Sequence, residues 1–188
     1  MRKVIAQEFI SLDGLAADQE GSTRFFDAMV DKAIDEDILQ FIHTIDTILL
    51  GAETYRMFIE YWPEATTDTE LVADQLNETP KIVFSNTLDQ APWGRWKPAT
   101  VVKSEAAEAV SQLKQQPGKD IVLWGSISLA QSLMKKGLVD EYQLRVCPTV
   151  LGKGRPLFSR DVSLLNLKLL DAKTYDNGVI FLKYDLSN

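Results

Sequence analysis

The sequence predicts an α/β domain built on a mixed, mostly parallel sheet that closes with an antiparallel hairpin. Short apolar runs alternate with segments of helical spacing over the first two thirds of the 188 residues. The run Ile121 to Trp124 meets Gly125 and then the helical spacing of Ile127, Leu129, Ala130 and Leu133. Near the end, Asp176–Asn177–Gly178 is a strong hairpin turn between two strand-like runs. Strand and helix periods interleaved in this way put helices on both faces of the sheet.

Each element follows from local pattern. Val4 to Leu12 alternates around Val4, Ala6, Phe9 and Ile10 and stops at Asp13–Gly14, which predicts a strand ending in a turn. From Phe25 to Ile42 the residues Phe26, Met29, Val30, Ala33, Ile34, Ile38, Leu39 and Ile42 keep helical spacing and predict one helix. Thr47 to Leu50 is a short buried strand closed by Gly51, and Ala52 to Glu60 is the helix after it. Tyr61–Trp62–Pro63 ends that helix, because proline disfavours helix in the residue before it. The acidic, Thr-rich residues 63 to 79 hold a helix around Glu70 to Leu76. Lys81 to Ser85 reads as a strand, Asn86 to Pro98 as a loop carrying Trp93 and Trp96, and Thr100 to Val102 as a strand. A helix near Glu105 to Gln115 precedes the strand and helix at Ile121 to Leu133, which Gly137 stops. Tyr142 to Val150, Leu165 to Thr174 and Val179 to Tyr184 are strand-like. Without internal repeat, linker or low-complexity tract, residues 1 to 188 read as one domain.

Composition narrows the partners. With 20 basic against 27 acidic side chains the net charge is -7, which disfavours nucleic acid and anionic membrane. A single cysteine, Cys147, and a single histidine, His43, allow neither an internal disulfide nor a Cys/His metal cluster, so no metal is expected. A reducing cytoplasm fits best. The N-terminal residues lack a signal-peptide apolar core, and nowhere do 18 uncharged apolar residues run together, so neither export nor a membrane span is expected. The junction at Gly125 is the strongest chemical signal. A helix start offers unpaired N–H groups and the positive end of a dipole, which suits a phosphate, although any α/β chain contains such turns.

Taken in order, six junctions resemble the C-terminal reductase domain of the bacterial riboflavin-biosynthesis deaminase/reductase, within the dihydrofolate reductase-like superfamily. They are Ser11–Leu12–Asp13–Gly14, Leu50–Gly51–Ala52–Glu53–Thr54–Tyr55, Val83–Phe84–Ser85–Asn86, Trp124–Gly125–Ser126, Gly137–Leu138–Val139–Asp140–Glu141, and Pro148 with Leu151–Gly152–Lys153–Gly154 and Leu157–Phe158. The resemblance spans almost the whole chain. It implies the three-layer dihydrofolate reductase-like fold, NADPH (or NADH) across the C-terminal edge of the strands, hydride transfer to a small heterocyclic or carbonyl-type substrate, and a homodimer. Open α/β sheets bind ligands at that same edge.

The resemblance also assigns residues. Gly51 and Thr54 match the turn that meets the cofactor pyrophosphate, although Ala52 and Glu53 lack the basic residue often found there. Ser85 and Asn86 fall where the family approaches the adenosine ribose, with Lys103 as an added cation. Gly125 and Ser126 match a Gly–Gly pair against the pyrophosphate, followed by Ile127, Ser128 and Leu129 along the cofactor. Serine in second place restricts positive φ but can cap the next helix and leave the amides free. Asp13 falls near the nicotinamide and substrate, where it could relay a proton; Asp-Gly is also plain turn chemistry. Trp62 could wall the substrate pocket or pack in the core. With no deaminase segment in view, the chain reads as a standalone reductase of a small metabolite. The competing class is a dimeric nucleotide- or small-molecule-binding protein that has lost turnover. NADPH oxidation over pterins, pyrimidines and carbonyl compounds discriminates the two.

Overall fold

The computed structural model describes residues 1–161 and 163–186. Six parallel strands form its middle: β1 (Val4–Ser11), β3 (Ile45–Gly51), β4 (Lys81–Phe84), β6 (Trp96–Val102), β7 (Asp120–Trp124) and β8 (Glu141–Cys147). With the antiparallel β5 (Ala91–Trp93), β10 (Leu167–Thr174) and β11 (Ile180–Leu186), the nine-stranded order is β10-β11-β8-β1-β7-β3-β4-β6-β5. A second, two-stranded sheet pairs β2 (Leu15–Ala17) with β9 (Arg155–Pro156). This is the mixed, mostly parallel sheet with a closing antiparallel hairpin that the residue pattern predicts, and the dihydrofolate reductase-like fold that the resemblance implies.

Helices cover both faces of this sheet. On one, α4 (Ala106–Gln115) and α5 (Ile127–Lys135) bury Val110, Leu129 and Leu133 against Val4, Ala6, Ile121 and Leu123. On the other, α1 (Lys32–Ile42), α2 (Ala52–Ile59) and α3 (Ala73–Glu78) bury Ile42, Tyr55 and Leu76 against Ile48, Leu50, Val83 and Val122. β3 and β7 alternate between the two cores: Leu49, Ile121 and Leu123 face the first, and Ile48, Leu50 and Val122 the second.

Three expectations are corrected here. The single helix from Phe25 to Ile42 is two pieces, a 3-10 helix over Arg24–Met29 and α1, because Asp31 lies extended and its carboxylate accepts from the amides of Ala33 and Ile34, both at 3.1 Å. The loop from Asn86 to Pro98 is mostly a hairpin of β5 and β6 turned at Gly94. Pro92 and Pro98 hid it, yet proline is tolerated on outer strands, and Trp93 is fully buried with its indole N–H donating to Asn77 Oδ1 at 2.6 Å. The strand expected to reach Val150 ends at Cys147, before Pro148.

Candidate functional site

Because the six middle strands run parallel, their C-terminal ends share one edge. That edge gathers Asp13 after β1, Gly51 to Thr54 after β3, Ser85 and Asn86 after β4, Lys103 after β6, and Gly125 to Leu129 after β7. His43 follows α1 at the opposite edge, where its carbonyl accepts from Lys119 Nζ at 2.8 Å just ahead of β7.

The two central turns are bonded to each other. The Gly51 amide donates to Ser126 Oγ at 2.7 Å, and the Ser126 amide donates to Thr54 Oγ1 at 2.8 Å. Gly125 and Ser126 are both left-handed, at φ +56 and +58. A Cβ on Gly125 would lie 2.9 Å from Thr54 Cγ2, so this position needs glycine for space as well as for conformation. Ser126 does not cap α5: a cap needs extended backbone, and the left-handed serine turns its hydroxyl to Gly51 instead. The expectation that Ser126 caps α5 is therefore corrected, while the amides that open α5 carry no side-chain cap. The donors left over are the first-turn amides of α2 and α5, neither of which has a side-chain cap, and the Thr54 hydroxyl, which accepts from Ser126 and keeps its own proton to donate.

The outlying candidates are held in local contacts. Ser85 Oγ accepts from the amides of Thr87 and Leu88 at 3.2 and 3.1 Å, and Asn86 is exposed. Lys103 pairs with Asp89 at 2.6 Å on the surface, and Arg155 pairs with Glu53 of α2 at 3.2 Å. Asp13 accepts from Ser11 Oγ at 2.7 Å, from the Leu151 amide at 3.1 Å and from the Gly152 amide at 2.8 Å. The Ser11 hydroxyl, then these amides, hold its carboxyl below the usual range, and it clasps the loop after β8 to the β1–β2 turn. Such an acid keeps no proton to give at neutral pH. Trp62 packs on Phe58 and Tyr61 with its carbonyl bonded to Asn77 Nδ2, in the core under α2 and α3. Cys147 is buried, and burial pushes its thiol up to about 11.

Two buried ionisable residues on β1 and β8 escaped the sequence reading. Arg145 on β8 is fully buried between the rings of Phe9 and Phe181, 5.5 and 5.2 Å from its guanidinium carbon. Its Nε and Nη1 have no partner among the described residues. Glu8 on β1 is 8% exposed, with Oε1 likewise unpartnered. Glu8 was legible: in a strand whose same-face neighbours Ala6 and Ile10 are apolar, a carboxylate there points into the core.

Comparison with known proteins places these features in context. The model of the RibD C-terminal domain matches residues 2–181. Uncharacterized protein YyaP of Bacillus subtilis is 33% identical over 185 residues, 97% of this chain and 94% of that one. Among solved structures, a protein from Shewanella sp. PV-4 superposes with a TM-score of 0.80 at 21% identity over 99% of both chains. Dihydrofolate reductase from Enterococcus faecalis, complexed with NADP(H), superposes at 0.62 and 12% identity, over 99% of this chain and 97% of its own.

Proposed function

The chain belongs to the RibD C-terminal domain family, and from that premise we propose that it is a reductase that takes hydride from NADPH or NADH and passes it to a small heterocyclic or carbonyl-type metabolite. The observation that carries the reading is the pair of uncapped helix starts, α2 and α5, at the ends of the adjacent strands β3 and β7 and cross-bonded through Thr54 and Ser126. Two helix dipoles and two sets of first-turn amides converge there, which is what a pyrophosphate needs. Glycine at 125, where a Cβ would meet Thr54 Cγ2 at 2.9 Å, lets the two turns pack this closely against each other. The NADP(H) of the Enterococcus faecalis neighbour supports the same ligand class.

In this reading Thr54 Oγ1 and the amides of Ala52 to Thr54 and of Ile127 to Leu129 bind the pyrophosphate. Ser85, Asn86 and Lys103 flank the adenosine ribose. When bound, the dihydronicotinamide supplies the hydride. The chain's contribution is to orient that ring, exclude water and fix the acceptor beside it. Asp13 positions the loop after β8. Because Lys103 is tied to Asp89 and Arg155 to Glu53, neither cation stands free for a 2′-phosphate, so discrimination between NADPH and NADH is weak.

Spectrophotometric NADPH oxidation with a panel of pterins, pyrimidines and carbonyl compounds tests the reading. A member of the panel reduced in stoichiometric amount supports it. Tight nucleotide binding with no acceptor turned over favours a binding protein of this fold.

We also propose a homodimer. The hairpin of β10 and β11 exposes Leu169 (51%), Leu170 (44%) and Ile180 (40%) at the outer edge of the sheet, and an apolar sheet edge needs cover. Light scattering at micromolar concentration is expected to return twice the 21.1 kDa of one chain, and a single-chain mass contradicts the proposal.

A further inference from the structure

We propose that the dinucleotide site is proton-linked, with Glu8 entering it as a neutral carboxylic acid whose ionisation expels the nucleotide; this deepens the reading above and rests on it. Glu8 shares its face of β1 with Ala6 and Ile10, which pack among Ala16, Leu129, Leu144 and Leu157. Leu144 of β8 pairs with it on one side. On the other, the β1–β7 pairing that ends at Gln7 and Trp124 brings Gly125 alongside. Burial pushes the carboxyl well above the usual range, and the neighbouring Gly125 amide pulls it back only in part. No charged partner offsets the burial. β7 and β8 set Leu123, Gly125 and Leu144 around it, with Tyr142 two residues from Leu144 on the same face, its hydroxyl pushed up to about 12 by burial and so neutral, and β2 carries no titratable group. Among the charged groups of the surrounding elements, Asp13 is ionised and filled by three donors, Glu53 and Arg155 hold each other, and Lys135 of α5 pairs with Asp161.

The consequence is electrostatic. A pyrophosphate at the Gly125–Ser126 turn brings two negative charges next to Glu8. An ionised Glu8 would compete for the Gly125 amide and repel the phosphates through a poorly screened interior. The nucleotide therefore selects the protonated acid. Above the pKa of the free protein, each nucleotide bound takes up one proton and affinity falls about tenfold per pH unit.

Calorimetric titration with NADPH between about pH 7 and 10, in two buffers of different ionisation enthalpy, tests this on the intact chain. The native protein is expected to take up a proton on binding and to lose affinity as pH rises. Glu8→Gln, neutral and of the same shape, is expected to bind with pH-independent affinity and no uptake attributable to that site. Infrared spectroscopy of the nucleotide-free protein gives an independent readout: a protonated-acid carbonyl band at neutral pH that Glu8→Gln removes. The proposal is overturned by an ionised Glu8 at neutral pH, or by equal pH dependence in the two proteins. No NADPH binding by either protein at any pH fails the dinucleotide reading, and this proposal with it.

Discussion

Gly125→Val is expected to weaken NADPH binding by about 100-fold or more while the chain still folds. Two costs coincide at that position. The backbone is left-handed at φ +56, where a β-branched residue is strained by roughly 1–3 kcal/mol. An added Cβ would also meet Thr54 Cγ2 at 2.9 Å and Oγ1 at 3.0 Å. Relief requires the turn to move away from Thr54, which breaks the bond from the Ser126 amide and pulls the start of α5 off the phosphate position. Each charge-assisted bond lost costs on the order of 1.5–3 kcal/mol, so two suffice for the expected loss. The sheet behind the turn stays paired through Ile121 to Trp124, so circular dichroism should remain close to that of the native protein. Unchanged affinity in a folded variant would place the nucleotide elsewhere.

The largest expected loss of stability comes from Asp140→Ala. Asp140 stands between α5 and β8, where its carboxylate accepts from Lys114 Nζ at 2.6 and 2.8 Å and from the Val4 amide at 2.8 Å. It thereby joins the end of α4, the start of β1 and the chain entering β8. The Lys114 side chain is 6% exposed and the Asp140 side chain 28%. Removing the carboxylate strands a buried ammonium, which costs about 3–5 kcal/mol, or a melting temperature lower by roughly 10 °C. Lys114→Met is the milder change, since the remaining carboxylate reaches water and keeps the Val4 amide. Thermal melts of the two variants give the order, and a Lys114→Met loss equal to or above that of Asp140→Ala would contradict this account of the pair.

Much of this architecture is legible in the sequence, for physical reasons. The parallel strands are short apolar runs closed by glycine or polar turns, and fixing their direction fixes the edge where the candidate residues collect. The Asp176–Asn177–Gly178 turn announces the terminal hairpin. What escaped depends on contacts between segments far apart in the chain. No local pattern shows that Ser126 turns toward Gly51, 75 residues away, that Asp13 reaches Gly152, or that Arg155 crosses to Glu53. The β5–β6 hairpin was hidden by its prolines, and the break before α1 by an apolar spacing that continues through Asp31. Arg145 is also unreadable in sequence, because its burial depends on Phe181 from β11 and Phe9 from β1 closing over it.

The central claim is that α2 and α5 together hold a reduced pyridine nucleotide, and direct titration tests it with no substrate required. Added to the native protein, NADPH and NADH are expected to give saturable changes in tryptophan fluorescence and a rise in melting temperature that grows with ligand concentration. Both responses are expected to be lost in Gly125→Val. No response to either nucleotide at millimolar concentration, with the protein folded, would contradict the account.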